Sequence, residues 1–303
     1  MFPAFLTVIL FAISASFATK PSRALGGVEA NFWRLILASF FLFFWWAFFD
    51  NKASTAGFKL FLLSGVVGYG LGDLALYESF PRLGARLSML MIHCFGAPIG
   101  ALIEWFWLGT PMTPTQIAFA MIILAGVALA LAPDHGMNVS RKTFWTGVIL
   151  GFCAALGQCF GAVLSRKASL AVIATGASIN GLTAGAQRVS SGLVIATTAL
   201  VIYKIKQSRN NPKRDKNFIP DKSLWLWIFL NGSLGPFLGT GTYQWALANY
   251  GTGVVLPIVA LTPLAVIPFA YFIENERPRT RSICGSLLAV IGAVGLAWVT
   301  HQK

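Results

Sequence analysis

The chain has 303 residues, of which 56% are hydrophobic and only 11% are charged, and its formal net charge is +13. A soluble domain carries about 25% charged residues, so this composition excludes a water-facing globular protein and indicates a polytopic membrane protein. The basic residues lie in links between apolar segments rather than on one face of a domain, which favours contact with anionic lipid over nucleic-acid binding.

Ten apolar segments, taken in chain order, are long enough to cross a bilayer, for which about 20 residues are needed. Five precede a polar link at 133–142 and five follow it. They are 3–19, 28–49, 58–79, 84–108, 113–132, 143–165, 178–203, 224–249, 251–273 and 281–300. We therefore predict an all-α integral membrane protein of ten transmembrane helices, with one five-helix repeat at 1–133 and a second at 143–303. Because each repeat has an odd number of spans, the second is inverted relative to the first.

The third and eighth spans carry the same glycine pattern. Four glycines in one span match four in the other, and the members of each pair are 167 residues apart. The pairs are Gly65 and Gly232, Gly68 and Gly235, Gly72 and Gly239, and Gly84 and Gly251. Each span therefore contains a Gly-x-x-x-Gly spacing, which lets a neighbouring backbone approach closely in lipid. We expect these two helices to pack at the centre, with the proline-containing fourth and ninth helices bending as gates.

The distribution of Lys and Arg predicts the orientation in the membrane. Between the spans, 16 of these residues fall on one face and five on the other. Because cytoplasmic loops carry the excess of basic residues, the basic face, which includes the 204–222 loop, is predicted to be cytoplasmic. Both termini would then lie outside.

Several degenerate motifs recur in a fixed order along nearly the whole chain. They are SASFATK at 14–20, FWRLILAS around Arg34, the long stretches 71–109 and 242–276, LSRKAS at 164–169 and AQRVSSG around Arg188. In this order and duplication the chain resembles the ten-helix, EamA-type branch of the drug/metabolite transporter superfamily. Glu276 fits the Gly-Glu pair that the family has after its ninth helix, whereas Thr110 replaces the acid after the fourth.

The resemblance implies a multi-pass secondary transporter of the cell (inner) membrane, typically an exporter of amino acids or other small polar metabolites. It also implies cytoplasmic termini, contrary to the charge distribution. The expected partners are a small solute and the lipid bilayer, without nucleic acid or cofactor, and the protein is expected to be a monomer or homodimer. Two other functions stay open: a flipper of nucleotide sugars or lipid precursors, and a membrane scaffold or receptor without transport. Inverted repeats favour the carrier, because they let one central site open to either side.

A charged residue within an apolar span has an unfavourable free energy of insertion, so it needs a partner. Arg34 and Asp73 should lie at about the same depth, roughly 9 Å below one membrane face at 1.5 Å per residue, with His93 slightly deeper. We predict either a structural Arg34–Asp73 ion pair or a proton-coupling cluster. Glu104 belongs to the same set and is one candidate partner for Arg188.

Arg188 corresponds to Arg34 in the repeat, but Thr240 replaces the acid at the position that matches Asp73. We expect Arg188 to be satisfied by hydroxyls, by carbonyls, by Glu104 or by a bound anion. One hypothesis is that its guanidinium binds the carboxylate of a substrate, since the two groups match bidentately. The other predicted substrate-binding residues are Ser16, Tyr77, His93, Gln158, Tyr243, Gln244 and Thr262.

Enzymatic function is not expected. Gly70-Leu71-Gly72-Asp73 resembles the active-site motif of intramembrane aspartyl proteases, but that chemistry needs two carboxylates sharing a proton. Every other Asp lies in a loop between spans. The four cysteines lack Cys-x-x-Cys spacing, and no metal site is predicted from them.

Overall fold

A computed structural model describes residues 1–49, 56–131, 140–210, 222–267 and 280–301 of the protein. Nearly all of this part of the chain is helical, and it contains no strand. The α-helices are α1 (Phe2–Leu25), α2 (Gly27–Phe49), α3 (Phe58–Gly65), α4 (Asp73–Leu108), α5 (Pro114–Leu131), α6 (Arg141–Ile173), α7 (Gly181–Asn210), α8 (Lys222–Gly232), α9 (Thr240–Asn249), α10 (Thr252–Val259) and α11 (Thr280–His301). Two π-helical segments, π1 (Val66–Gly72) and π2 (Ser233–Gly239), connect α3 to α4 and α8 to α9.

Most of the predicted spans are present as long apolar helices. In the described residues, seven helices are long and apolar enough to cross a membrane, and Pro114–Ala130 and Thr252–Ile267 are shorter apolar helices. The predicted span at 224–249 corresponds to α8, π2 and α9 in succession. Large apolar side chains point outward, as with Phe106, which is 81% exposed. Lipid is the natural environment for such a surface, and the predicted all-α integral membrane fold is confirmed.

The third and fourth spans form a hairpin against α6, although helical geometry continues from Phe58 to Leu108. The contacts of the third span run backwards along α6, from Gly57 against Ala168 to Gly72 against Gly157. After the chain reaches Leu83, beside Gly147, its contacts run forwards along α6. They are Met91 with Gly151, Gly96 with Ala155 and Gly100 with Cys159. The chain therefore reverses direction between the two spans, so α4 contains the end of one span and the whole of the next.

The two halves are related by an internal pseudo-symmetry that extends to single hydrogen bonds. π1 and π2 have the same length and begin 167 residues apart, at Val66 and Ser233, which is the spacing of the matched glycines. Just before π1, the Ser64 hydroxyl donates to the carbonyl of Gly161 in α6. At the matching place in the second half, the Asn231 amide donates to the carbonyl of Ser14 in α1. The repeat seen in the sequence is thus present in the packing.

Each glycine face receives a helix of the other half. A Cβ atom on Gly157 of α6 would lie only 2.6 Å from Cα of Gly72, and one on Gly235 would lie 2.3 Å from the Ser14 hydroxyl of α1. The physical reason is that glycine removes the side chain where two backbones approach. Between the third and eighth spans, the Tyr69 and Thr240 hydroxyl groups share a hydrogen bond.

Two polar contacts between helix ends also show which of these ends share a membrane face. The Lys20 ammonium donates to the Ser223 hydroxyl over 2.6 Å, which joins the end of α1 to the start of α8. The Lys204 ammonium pairs with Glu29, which joins the end of α7 to the start of α2. These helix ends belong to the face that carries the excess of basic residues, called the basic face below. Arg166 and the amino terminus lie towards the opposite face.

Candidate functional site

A cavity of about 610 Å³ lies between the two halves. Its walls come from both repeats, and it extends from the deeply buried Arg188 to the α1–α2 junction at Gly26 and Gly27, near the basic face. Its polar and aromatic lining residues are Phe11, Ser14, Ser22, Arg34, Tyr69, Asp73, Tyr77, His93, Gln158, Arg188, Asn231, Tyr243 and Thr262. The volume is typical of small-molecule sites in proteins.

The first half contributes an ion pair to this cavity. The Arg34 guanidinium donates through Nη2 to the Asp73 carboxylate, whose side chain is 3% exposed. The other carboxylate oxygen accepts a 3.1 Å hydrogen bond from the Gln158 amide of α6. The Arg34 guanidinium also lies over the Tyr77 ring, 4.9 Å from its centroid. The pair predicted from matching depth is present, and its carboxylate is already occupied by two donors.

The second half contributes a guanidinium that forms no salt bridge with the described residues. Arg188 is 1% exposed, and no acidic residue in the described part of the chain forms a salt bridge with it. Its Nε–H has no hydrogen-bond partner there. The guanidinium carbon lies 5.0 Å from the centroid of the Tyr69 ring and 5.7 Å from that of the Tyr243 ring. Aromatic faces attract a cation but supply no negative charge.

Glycines make room for this arginine. A Cβ atom on Gly68 of π1 would lie 2.5 Å from Nη2 of Arg188, and one on Gly161 of α6 would lie 2.9 Å from the same atom. Two glycines that face each other across the helix contact therefore form the slot that holds the guanidinium. Thr240, which replaces the acid of the first half, is fully buried and bonded to Tyr69.

The predicted site residues divide into two groups. Seven of them line the cavity besides Arg188: Arg34, Asp73, Tyr77, His93, Gln158, Tyr243 and Thr262. Three lie outside its lining: Ser16, Gln244 and Glu104. The Ser16 hydroxyl donates to the carbonyl of Ala12 in its own helix, and Ser14, two residues earlier and on a different face of α1, lines the cavity instead.

Gln244 is 1% exposed and packed inside the protein, and neither atom of its amide group has a hydrogen-bond partner among the described residues. Its neighbour Tyr243 does face the cavity. The two side chains differ in direction because consecutive residues of an α-helix point about 100° apart. Tyr69 was not predicted and is the closer of the two rings to Arg188. The available signal was its position one turn before Asp73 within the repeated glycine pattern.

Glu104 belongs to a clamp at the end of the protein opposite the basic face. Its carboxylate accepts hydrogen bonds from the backbone N–H and the hydroxyl of Thr252, at the start of α10. Arg166 donates to the carbonyls of Leu247 and Ala248, at the end of α9, over 2.9 and 2.7 Å. Glu104 and Arg166 approach within 3.8 Å. Together they cap both sides of the α9–α10 break, so Glu104 is not the partner of Arg188.

The sequence model of the EamA-like transporter family matches residues 1–132 and again residues 145–298. The protein belongs to the EamA-like transporter family. This EamA-like protein is also similar to a solved structure described only as "Crystal structure of protein", with a TM-score of 0.76 and 13% sequence identity over 99% of this chain and 97% of that one. Among curated proteins, none matches the sequence significantly.

Membership accounts for the double five-helix architecture and makes this EamA-like protein a membrane transporter of the drug/metabolite superfamily. At 13% identity the solved structure supports the fold alone. The cavity at the interface of the two repeats is where inverted-repeat transporters place their central site.

We expect the clamp to restrict access to the cavity from its own face. Leu256 lines the cavity and is partly exposed, so a Leu256→Cys substitution can report this in a variant lacking Cys94, Cys153, Cys159 and Cys284. Glu104→Gln removes the charge that caps α10, and hydrogen bonds to charged groups are worth about 1.5–3 kcal/mol. A membrane-impermeant thiol reagent applied to the clamp face should then label the Leu256→Cys variant at least about tenfold faster.

The matched control is Glu78→Gln, which removes a half-exposed ion pair with Arg82 and should leave labelling from the clamp face unchanged. Equal rates in the Glu104→Gln variant and the parent would show that the clamp does not control access.

Proposed function

We propose that the protein is a secondary transporter of small carboxylate-bearing metabolites, which binds the carboxylate at Arg188 and works by alternating access. The observation that carries this proposal is the buried guanidinium in the cavity wall, which forms no salt bridge with any described residue. A buried charge is costly unless it is paired, and a planar guanidinium binds a carboxylate through two parallel hydrogen bonds. Arg188 is therefore prepared for a ligand rather than for a residue of the described chain.

The rest of the cavity suits a small organic acid. Its apolar walls include Leu76, Ile92, Leu256 and Val259, while His93 and Gln158 add polar groups. A mainly apolar lining with a few placed polar groups is typical of sites for small organic molecules. We expect solutes of metabolite size, amino acids being the class that the sequence resemblance suggests.

Export is the proposed direction of transport. The cavity extends to the basic face, which the distribution of Lys and Arg predicts to be cytoplasmic, and the Glu104–Arg166 clamp lies at the opposite end. An empty carrier in this conformation would load from the cytoplasm. Release outside then requires the clamp to open.

The test is binding and counterflow by the purified protein. In detergent, thermal unfolding would be followed with a panel of two- to six-carbon carboxylic acids, amino acids included, each paired with its amide. We expect acids, and not amides, to stabilise the protein. Arg188→Gln should weaken the binding of the best acid at least about tenfold, since charged hydrogen bonds are worth about 1.5–3 kcal/mol. Arg82→Gln, a surface change of the same chemistry, should retain it.

Counterflow of the best acid in proteoliposomes separates a transporter from a membrane scaffold or receptor, which would bind without moving solute. Stabilisation by amides equal to that by acids, or undiminished binding by a well-folded Arg188→Gln variant, would overturn the carboxylate site. Binding without counterflow would overturn transport.

A further inference from the structure

The charges that line the cavity do not balance. Its described lining contains two guanidinium groups, Arg34 and Arg188, and one carboxylate, Asp73. The remaining titratable groups in that lining are His93, the thiol of Cys159 and three tyrosine hydroxyls, all neutral in their ordinary forms. Without solute, the cavity wall therefore carries one net positive charge.

We propose that the transported solute is a monoanion whose single negative charge balances the cavity, and that the carrier reorients only when it is loaded, so that transport is an exchange of one monoanion for another. This inference rests on the proposed function, because it takes Arg188 as the carboxylate site. It goes further in excluding zwitterions as the preferred solute and in setting the mode of coupling.

A zwitterion such as an amino acid would need an acceptor for its ammonium group. Asp73 is the single carboxylate in the described cavity wall, and it already accepts from Arg34 and from Gln158. Glu104 is held by Thr252 and Thr110 in the clamp, outside the lining. An ammonium group would thus enter a positive cavity without a free counter-charge.

A hydroxyl or oxo group meets a better-suited wall. The imidazole of His93 is part of the wall. A neutral imidazole can donate from one ring nitrogen and accept at the other. The geometry therefore suits a hydroxy or oxo monocarboxylate, with the carboxylate on Arg188 and a neutral polar group within reach of the remaining polar residues.

The same imbalance limits the movement of the empty carrier. Between its two open states, an alternating-access carrier passes through a closed state from which bulk water is excluded. Arg34 keeps its counter-charge in that state, because Asp73 belongs to the same repeat. Arg188 forms no such ion pair with a described residue, and an uncompensated charge in a closed interior is strongly unfavourable. A bound monoanion removes that cost, so loaded carriers should cross far more often than empty ones.

The inverted repeat provides the matched variant. Thr240 occupies the position that Asp73 has in the first half, and Arg188 occupies that of Arg34. Thr240→Asp would give Arg188 the internal partner that Arg34 has, whereas Thr240→Asn has nearly the same shape without the charge. The acid should replace the solute as counter-ion, and the amide should not.

The experiment uses the full-length protein in proteoliposomes, with lactate and alanine as probes. The two compounds differ at one position, where lactate has a hydroxyl group and alanine has an ammonium group. We expect lactate to bind at least about tenfold more tightly than alanine in thermal unfolding. Exit of radiolabelled lactate should be at least about tenfold faster into external lactate than into lactate-free buffer, a difference of about 1.4 kcal/mol in barrier. Thr240→Asp should lower lactate affinity and bring the two exit rates together, and Thr240→Asn should keep them apart.

The outcomes separate this inference from the proposed function. If neither probe nor any other carboxylate binds, the proposed function itself fails. If alanine binds as well as lactate, or net exit is as fast as exchange, the proposed function stands and this inference is wrong. It is also wrong if Thr240→Asn abolishes the exchange requirement as fully as Thr240→Asp.

Discussion

Asp73→Asn should destabilise the protein by about 3–5 kcal/mol, the usual cost of removing one partner of a buried ion pair. Arg34 would become a second uncompensated guanidinium in a cavity that already contains Arg188. The substitution changes little else, because the asparagine carbonyl can still accept from Gln158, as Asp73 does now over 3.1 Å. The measurement is the loss of folded, monodisperse protein on heating in detergent.

A second change distinguishes charge from packing. Adding Arg34→Gln to Asp73→Asn removes the stranded charge, and because replacing both partners of a buried pair is often nearly neutral, the double variant should recover most of the lost stability. If the double variant is as unstable as the sum of the two single variants, the pair contributes through shape rather than charge. A proton-coupling role for Asp73 stays a prediction, to be tested by the dependence of transport on a pH gradient.

Gly65→Ala is the other change expected to have a large effect. A Cβ atom at this position would lie 1.8 Å from the carbonyl oxygen of Arg188 and 2.2 Å from the Ser191 hydroxyl. A backbone carbonyl cannot move aside as a side-chain tip can, so α7 would have to separate from the third span. Overpacking costs about 1–3 kcal/mol and occasionally more, and this contact falls at the severe end. The Arg188 slot would be displaced as well, so ligand-induced stabilisation should also be lost.

Two other glycines provide a graded control. At Gly232, the repeat partner of Gly65, the nearest atom is the carbonyl oxygen of Arg34 at 2.9 Å, and at Gly96 it is the carbonyl oxygen of Ala155 at 3.6 Å, an ordinary contact. Thermal stability should therefore fall most for Gly65→Ala, less for Gly232→Ala, and hardly at all for Gly96→Ala. Alanine is otherwise the better helix residue by about 1 kcal/mol, which makes Gly96→Ala neutral or stabilising. A uniform effect at all three positions would contradict close packing as the cause.

Much of the fold could be predicted from local sequence. Apolar length predicts spans, and the matched glycines predict the internal repeat, because both signals depend only on spacing along the chain. The π segments could not be predicted in this way. Spacing along the chain contains no signal for the π-helical winding of Val66–Gly72. Nor does it tell that the glycine faces turn towards α1 and α6, because those contacts join distant parts of the chain.

The candidate site was predictable where depth alone decides a contact. Arg34 and Asp73 were expected to meet because they lie equally deep in consecutive spans, and they do. The direction in which a side chain points around its helix axis was harder to predict. Ser16 rather than Ser14 was predicted to bind substrate, and Gln244 was predicted together with Tyr243, although neighbouring residues face different sides of a helix. Glu104 was considered for Arg188, but the break between α9 and α10 gave it a nearer backbone N–H, at Thr252.

The packing of each half against helices of the other half affects how the protein folds during synthesis. The third span packs on α6, and α1 packs on the eighth span, so the first five helices emerge from the ribosome before their principal neighbours exist. During that interval only lipid is available to cover the glycine face of π1. The first half can therefore insert into the membrane but cannot complete its packing until the inverted second half has been synthesised. A gene fragment encoding either half alone should yield a product that cellular quality control removes.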